Sequence, residues 1–247
     1  MMSKRLKLKK SPFDIRDSLY KSNGVGLRRT VDLREWDSPI EDQGDLGSCV
    51  GNAFANAYEL MQRNLDPAHY VNLSRLFIYY NSREMENSIM EDAGVLHLRH
   101  ALKALKLYGI CREDIWPYIP EKFDDKPSPE AYADGVKRQI KQYESLSTIT
   151  DMLEALAMNK PIVLGMNIYQ DFLDLTPNNS IIKVPEYPAS SLGTHALIVV
   201  GYSLAEQHFL VKNSFGTGWG MNGYAWMPFE YVKSDVFERW IFDIADQ

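Results

Sequence analysis

The apolar residues of this chain change period partway along it, and that change restricts the fold more than any other feature. After Cys49, the residues Val50, Ala53, Phe54, Ala57 and Met61 recur at spacings of three and four, while Asn52, Asn56, Glu59 and Arg63 take the opposite face. This spacing predicts an amphipathic helix with Ser48 and Cys49 at its N-terminus. Leu76, Phe77 and Tyr80 predict a second helix over 73–86, and a third over 97–108 is closed by Gly109. A further helix is expected over 151–159, beyond a loop rich in Pro, Asp and Lys at 119–129. From Pro161 the apolar residues come in runs instead: Ile162 to Leu164, Ala196 to Val200 and His208 to Val211, with Asn222-Gly223 turning into Tyr224 to Met227. Such runs predict strands. The expectation is an α+β chain with a mainly helical half over 31–135, a mainly β half over 136–247 and a cleft between them. Residues 1–30 show little periodicity and read as an extended or mobile leader.

Composition narrows the function. With 45% hydrophobic and 24% charged residues, the 247-residue chain has material for a sizeable core. A formal net charge of -6 removes the usual electrostatic case for nucleic acid. The one basic run, Lys4-Arg5-Leu6-Lys7-Leu8-Lys9-Lys10, is expected to be a disordered tail rather than a contact for membranes or acidic partners. It is not followed by the apolar stretch of about 7 to 15 residues that a secretory signal needs, and no window approaches the roughly 20 apolar residues of a membrane span. The cysteines are Cys49 and Cys111 alone, so no disulfide framework is expected and a reducing, cytoplasmic or intracellular setting fits, unless delivery follows a non-standard route. No metal or other cofactor is expected, and a monomer is.

A thiol becomes a good nucleophile where something stabilises its thiolate, and a helix N-terminus supplies partial positive charge and free N–H groups. Cys49 has that placement, although a lone cysteine on an apolar helix face more often serves as a small buried hydrophobe. Gly44 and Gly47 permit a tight backbone approach in front of the helix, and Gln43 has an amide to aim at a developing oxyanion. Among His69, His97, His100, His195 and His208, His195 stands apart because it opens an apolar strand. If that strand pairs with the next, Asn213 comes back to His195, accepts its ring N–H and fixes the tautomer. Cys111 reads as structural.

These segments, Gln43-Gly-x-x-Gly-Ser-Cys49, then His195-Ala before an apolar strand, then Asn213-Ser-Phe-Gly-Thr-Gly-Trp-Gly-x-Asn-Gly-Tyr224, occur in the order of the papain-like cysteine peptidases, and the chain resembles that family from about Val31 to Met227. The resemblance implies a papain-like fold, its helical half facing an antiparallel β-barrel-like half. It implies Cys49 as nucleophile, His195 as general base and acid, Asn213 orienting His195, and Gln43 with the Cys49 N–H as oxyanion hole. It also implies that Trp219 shelters the Asn213–His195 hydrogen bond and that Gly94, in Glu91-Asp92-Ala93-Gly94, pairs with the backbone of a peptide or protein substrate. The expected activity is peptide-bond hydrolysis through a thioester, with endopeptidase action ahead of exopeptidase action.

The sequence departs from the family at Leu46, where many members have a disulfide-forming cysteine, at Val50, where tryptophan usually follows the nucleophile, and at Phe215. These changes point to a disulfide-free microbial or viral branch. Two other readings stay open: a catalytically silent or regulated papain-fold effector or binding protein, and an acyl-transferase using the same triad. The leader is too short for a long helical propeptide, and part of residues 1–30 is expected to lie over the cleft and limit activity.

Overall fold

The computed structural model describes residues 7–22, 24–187 and 189–245; Lys4, Arg5 and Leu6 of the basic run, and Asn23, lie outside them, as does the His69 side chain. Among the described residues, seven α-helices run in chain order as α1 (Cys49–Leu65), α2 (Arg75–Glu84), α3 (Leu98–Tyr108), α4 (Pro129–Gly135), α5 (Ile149–Ala157), α6 (Gln170–Leu173) and α7 (Phe229–Asp235). The strands are β1 (Ser18–Leu19), β2 (Thr30–Asp32), β3 (Ile140–Ser145), β4 (Ile162–Ile168), β5 (Gly193–Ser203), β6 (His208–Lys212), β7 (Tyr224–Pro228) and β8 (Val236–Ile244). They form one sheet in the order β1-β3-β8-β4-β5-β6-β7, with β2 also pairing β5. All described pairings are antiparallel except β1 with β3. The sheet is open, since its two end strands do not pair among the described residues, so barrel-like describes it only loosely.

Helix α1 is the centre of the molecule. Every residue from Cys49 to Gln62 is buried, so the face carrying Asn52, Asn56 and Glu59 meets protein rather than water. Burial of such groups is tolerated because each finds a partner. Asn52 donates to the Ser48 carbonyl and hydroxyl, Asn56 accepts from the Ser38 hydroxyl, and Glu59 accepts the Leu73 N–H at 2.7 Å. Burial pushes the Glu59 carboxyl up to about 7. Arg63, at the exposed end, donates to the Asp37 carbonyl.

The start of the leader is not loose where it is described. Leu8 is buried among core residues, and the Lys9 N–H donates to the Leu96 carbonyl at 2.7 Å. An aliphatic side chain in a basic run gains about 2 kcal/mol by such burial, which is enough to hold a short segment down. Ser11 donates its N–H to Glu238, Asp17 pairs with Arg99, and β1 lies along β3 with Ser18 opposite Glu144. Farther on, Tyr20 and Ser22 hydrogen-bond Glu154, and Arg28 reaches the Ala157 carbonyl and Asn159. Residues 7–22 and 24–30 therefore form an extended strap rather than a mobile tail.

Candidate active site

The turn Gln43 to Ser48 delivers the chain into α1. Gly44 takes a φ of +60°, a conformation glycine reaches without Cβ strain, and its N–H caps on Asp42 Oδ1. The Gln43 Oε1 accepts from the Ser214 hydroxyl at 2.7 Å, while one Nε2 hydrogen goes to the Leu46 carbonyl at 2.9 Å. A primary amide carries two N–H donors, so one remains. Ser48 precedes the helix without capping it through its side chain, leaving the first N–H groups of α1 uncapped from that direction.

Across from this turn, β5 and β6 bring His195 and Asn213 together. His195 Nε2 lies 2.7 Å from Asn213 Oδ1, which also accepts the Ser214 N–H at 2.9 Å. The backbone donor fixes which end of the amide is oxygen, so Nε2 carries the proton and Nδ1 is the basic nitrogen. Among the described residues, the buried Nδ1 has no hydrogen-bond partner, and neither has Asn213 Nδ2. The N–H of Ala196, the residue after His195, lowers the Cys49 thiol pKa, which puts the thiol near the start of that strand.

Both groups are sealed from water. Burial pushes the Cys49 thiol up to about 11, with the Ala196 N–H pulling it partly back. Burial likewise drives His195 down to about 4, against the hydrogen bond it donates to Asn213. In this state the pair is a neutral thiol and a neutral imidazole.

Aromatic rings wall the imidazole. Phe215 lies nearest, with ring centroids 4.7 Å apart, and Phe172 of α6 lies at 5.7 Å. Trp219 stands behind them, 5.0 Å from Phe172, and donates its indole N–H to the Phe172 carbonyl. It also lines a shallow groove of about 360 Å³ with Asp42, Gly44, Leu173, Leu175, Phe215 and Gly218. Gly94, with φ +76°, lies against the turn: a Cβ on Gly47 would sit 3.1 Å from its nitrogen. A Cβ on Gly165 would meet Leu8 Cδ2 at 3.1 Å and Phe237 Cε2 at 2.9 Å, and Gly165 pairs with Ala196. Leu8 thus packs against β4, the strand beside the one that carries His195.

The other described histidine rings have local partners: His100 with Glu86, His97 with the Lys9 carbonyl, and His208 with the Glu206 carbonyl. Cys111 is fully buried beside Phe77 and Ala131, its thiol pushed up to about 12, and both cysteines are unpaired. Among the described residues, no group of three or more His, Cys, Asp or Glu side chains gathers to hold a metal, and no helix is long and apolar enough to cross a membrane.

Comparison with known proteins follows the same outline. Residues 27–236 match the model of the papain family of cysteine proteases. The chain belongs to that family. An uncharacterised peptidase C1-like protein of Acanthamoeba polyphaga mimivirus is 39% identical over 220 residues, covering 85% of this chain and 70% of that protein. Pro-cathepsin H of Mus musculus is 32% identical over 202 residues, and there the chain spans only 55% of the relative's length. Among solved structures, xylellain, a cysteine protease from Xylella fastidiosa, superposes with a TM-score of 0.87 at 31% identity, covering 99% of this chain and 97% of that one. Digestive procathepsin L 3 of Tenebrio molitor, at 19% identity and a TM-score of 0.78 over 98% of this chain and 77% of that one, shares the fold. The papain-like fold, the absence of a disulfide and the viral relative agree with the disulfide-free branch read from the sequence.

Sequence reasoning did not single out Phe172, Ser214 or Tyr118. Phe172 lies on a helix of four residues that gives no periodicity, and Tyr118 reaches the site only through the fold. Ser214 had a signal, since it directly follows Asn213.

Proposed function

We propose that this papain-family member is a cysteine endopeptidase in which Cys49 is the nucleophile, held latent by its own N-terminal segment. The observation that carries the chemistry is the His195 tautomer: with Nε2–H committed to Asn213, Nδ1, without a partner among the described residues, is the basic nitrogen, on the strand whose Ala196 N–H acts on the thiol. His195 Nδ1 takes the Cys49 proton and the thiolate adds to a peptide carbonyl. The oxyanion accepts from the free Gln43 Nε2–H and the Cys49 N–H. As the tetrahedral centre collapses, His195 passes its proton to the departing amine and a thioester remains. Water, deprotonated by His195, attacks that thioester, and the proton returns to sulfur as the acid leaves.

The groove beside Phe215 and Trp219 supports endopeptidase action, as would the space beside Gly165 once Leu8 has left it, because substrate would then have room to extend both ways. Gly94 would pair with substrate backbone along the segment Lys9 now uses at Leu96. Latency would follow from occupation: Leu8 packs against Gly165 beside the strand that carries His195, and Lys9 holds Leu96, two residues from Gly94, so a substrate pairing there would have to displace both.

The test is labelling with a thiol-directed peptidyl epoxide, read by mass spectrometry, on the full chain and its Leu8→Asp variant, with Cys49→Ala as control. Leu8→Asp should speed labelling of Cys49 at pH 7 by at least about tenfold, the factor for each unit its thiol pKa falls toward neutrality. No adduct at Cys49 in that variant would overturn the peptidase reading. Equal labelling with and without the substitution would overturn the latency.

A further inference from the structure

The oxyanion turn is clamped from outside by a tyrosine far away in sequence. Tyr118 Oη donates to the Gln43 carbonyl at 2.9 Å and lies 2.5 Å from the Ser48 Oγ. A phenol has one hydrogen, so with that hydrogen on Gln43 it is the Ser48 hydroxyl that donates to Tyr118. The two anchor points are the first residue of the turn, whose amide faces the site, and the residue immediately before Cys49. Between them, Leu46 offers one carbonyl to both the Gln43 amide and the Ser48 N–H, closing the turn on itself.

The clamp is itself held. The Arg75 guanidinium lies 4.3 Å from the Tyr118 ring centroid and pairs with Glu41 at 2.7 Å and Glu113 at 3.3 Å. Glu113 Oε1 also accepts the Tyr118 N–H at 2.6 Å. A cation over a phenol ring makes its O–H a better donor, which strengthens the bond to the Gln43 carbonyl. Ser48, which would ordinarily cap α1, spends its hydroxyl here instead.

We infer that Tyr118 is a positioning residue for the oxyanion hole: its hydroxyl fixes the separation of Gln43 and Ser48, and so of the Gln43 amide and the Cys49 N–H. This inference rests on the assignment of Gln43 and Cys49 made above. It distinguishes Tyr118 from a core tyrosine, because what it holds is one pair of donors.

Two kinds of reagent separate the possibilities. A peptide aldehyde forms a tetrahedral adduct whose oxygen needs both donors, whereas iodoacetamide alkylates the thiol by displacement and develops no such oxygen. Both are applied to the full chain in the Leu8→Asp background, alongside turnover of a fluorogenic peptide, with Gln43→Ala as reference. Tyr118→Phe should lower kcat/KM by up to about 100-fold, as misplacement by an ångström does, and weaken aldehyde binding by a similar factor. Alkylation of Cys49 should stay within about twofold, since the thiol and His195 are untouched. Combined with Gln43→Ala, it should add little further loss. Parallel losses in alkylation and turnover, an unchanged aldehyde affinity, or full additivity would each overturn the inference. If Gln43→Ala itself leaves turnover intact, the oxyanion assignment fails first, which is a separate result. Should Tyr118→Phe not fold, Ser48→Ala must give the same split at smaller size, and a uniform loss there would overturn the inference equally.

Discussion

The two walls of the cleft treat their polar atoms in opposite ways. On the Gln43 side both side-chain amide atoms have protein partners, and the turn is tied to Ser214, Leu46 and Tyr118. On the His195 side, Nδ1 and Asn213 Nδ2 are buried with no hydrogen-bond partner among the described residues. An orphaned buried polar atom costs about 1–3 kcal/mol, so the second wall carries a cost that the first avoids. Donors that only hold a charge can be fixed permanently. In the mechanism proposed above, a nitrogen that takes and returns a proton has to be left free until the thiol or substrate supplies one.

The contrast breaks most visibly at His195. His195→Ala should reduce kcat/KM by about 10⁴-fold or more, measured on a fluorogenic peptide, while far-ultraviolet circular dichroism stays native. Next in size is a carboxyl that resembles neither wall, buried and partnered yet raised in pKa. With Glu59 at about 7 in the folded chain and near 4.5 unfolded, the unfolded chain loses that proton first as pH rises. Stability linked to it is therefore full below about pH 4.5 and has been lost once pH passes about 7. Glu59→Gln keeps an oxygen for Leu73, so it should stabilise by roughly 3 kcal/mol at pH 8 and by nothing at pH 4, read from denaturant unfolding. Ser214→Ala tests the locked wall by removing the donor to Gln43 Oε1. It should cost about 1 kcal/mol of stability and about tenfold in kcat/KM. The smallest effect is at Gly44, where a Cβ meets nothing but the φ of +60° is strained: Gly44→Ala should cost about 1 kcal/mol, seen as a fall of about 2–4 °C in Tm, with the thiol labelling rate unchanged.

Elements with local signals were legible in the sequence. Helix α3 runs Leu98–Tyr108 with His97 before it and Gly109 at φ +68°, and the apolar runs appear as β4, β5, β6 and β7. Helix α5 starts two residues earlier than its apolar pattern suggests, because Thr148 and Asp151 form a capping box. Strand β8 was hidden: Glu238 and Arg239 interrupt its apolar run, and in the fold the buried Glu238 accepts from Ser11 and from Trp240 two residues on, while half-buried Arg239 donates through Nη2 to the Val232 carbonyl. Strands β1 and β2 are too short to show a period. For the site, Gln43, Cys49, His195 and Asn213 could be picked out because each sits in a short segment with its own chemistry. Tyr118 and Phe172 could not, since what matters in them is a distance to residues far along the chain. Periodicity separates the apolar from the polar face of α1, and says nothing of whether the polar side meets water or another buried group.

The pairing of β1 with β3 has a consequence for any cut made in the exposed stretch between Gly24 and Arg29. Such a cut would nick the molecule without shortening it: the strap would remain as a non-covalent second chain, stitched by β1, by Asp17 on Arg99 and by Tyr20 and Ser22 on Glu154. The two pieces would migrate together on a native gel and separate only in detergent, so a band of the shortened size under denaturing conditions would not by itself mean an open enzyme.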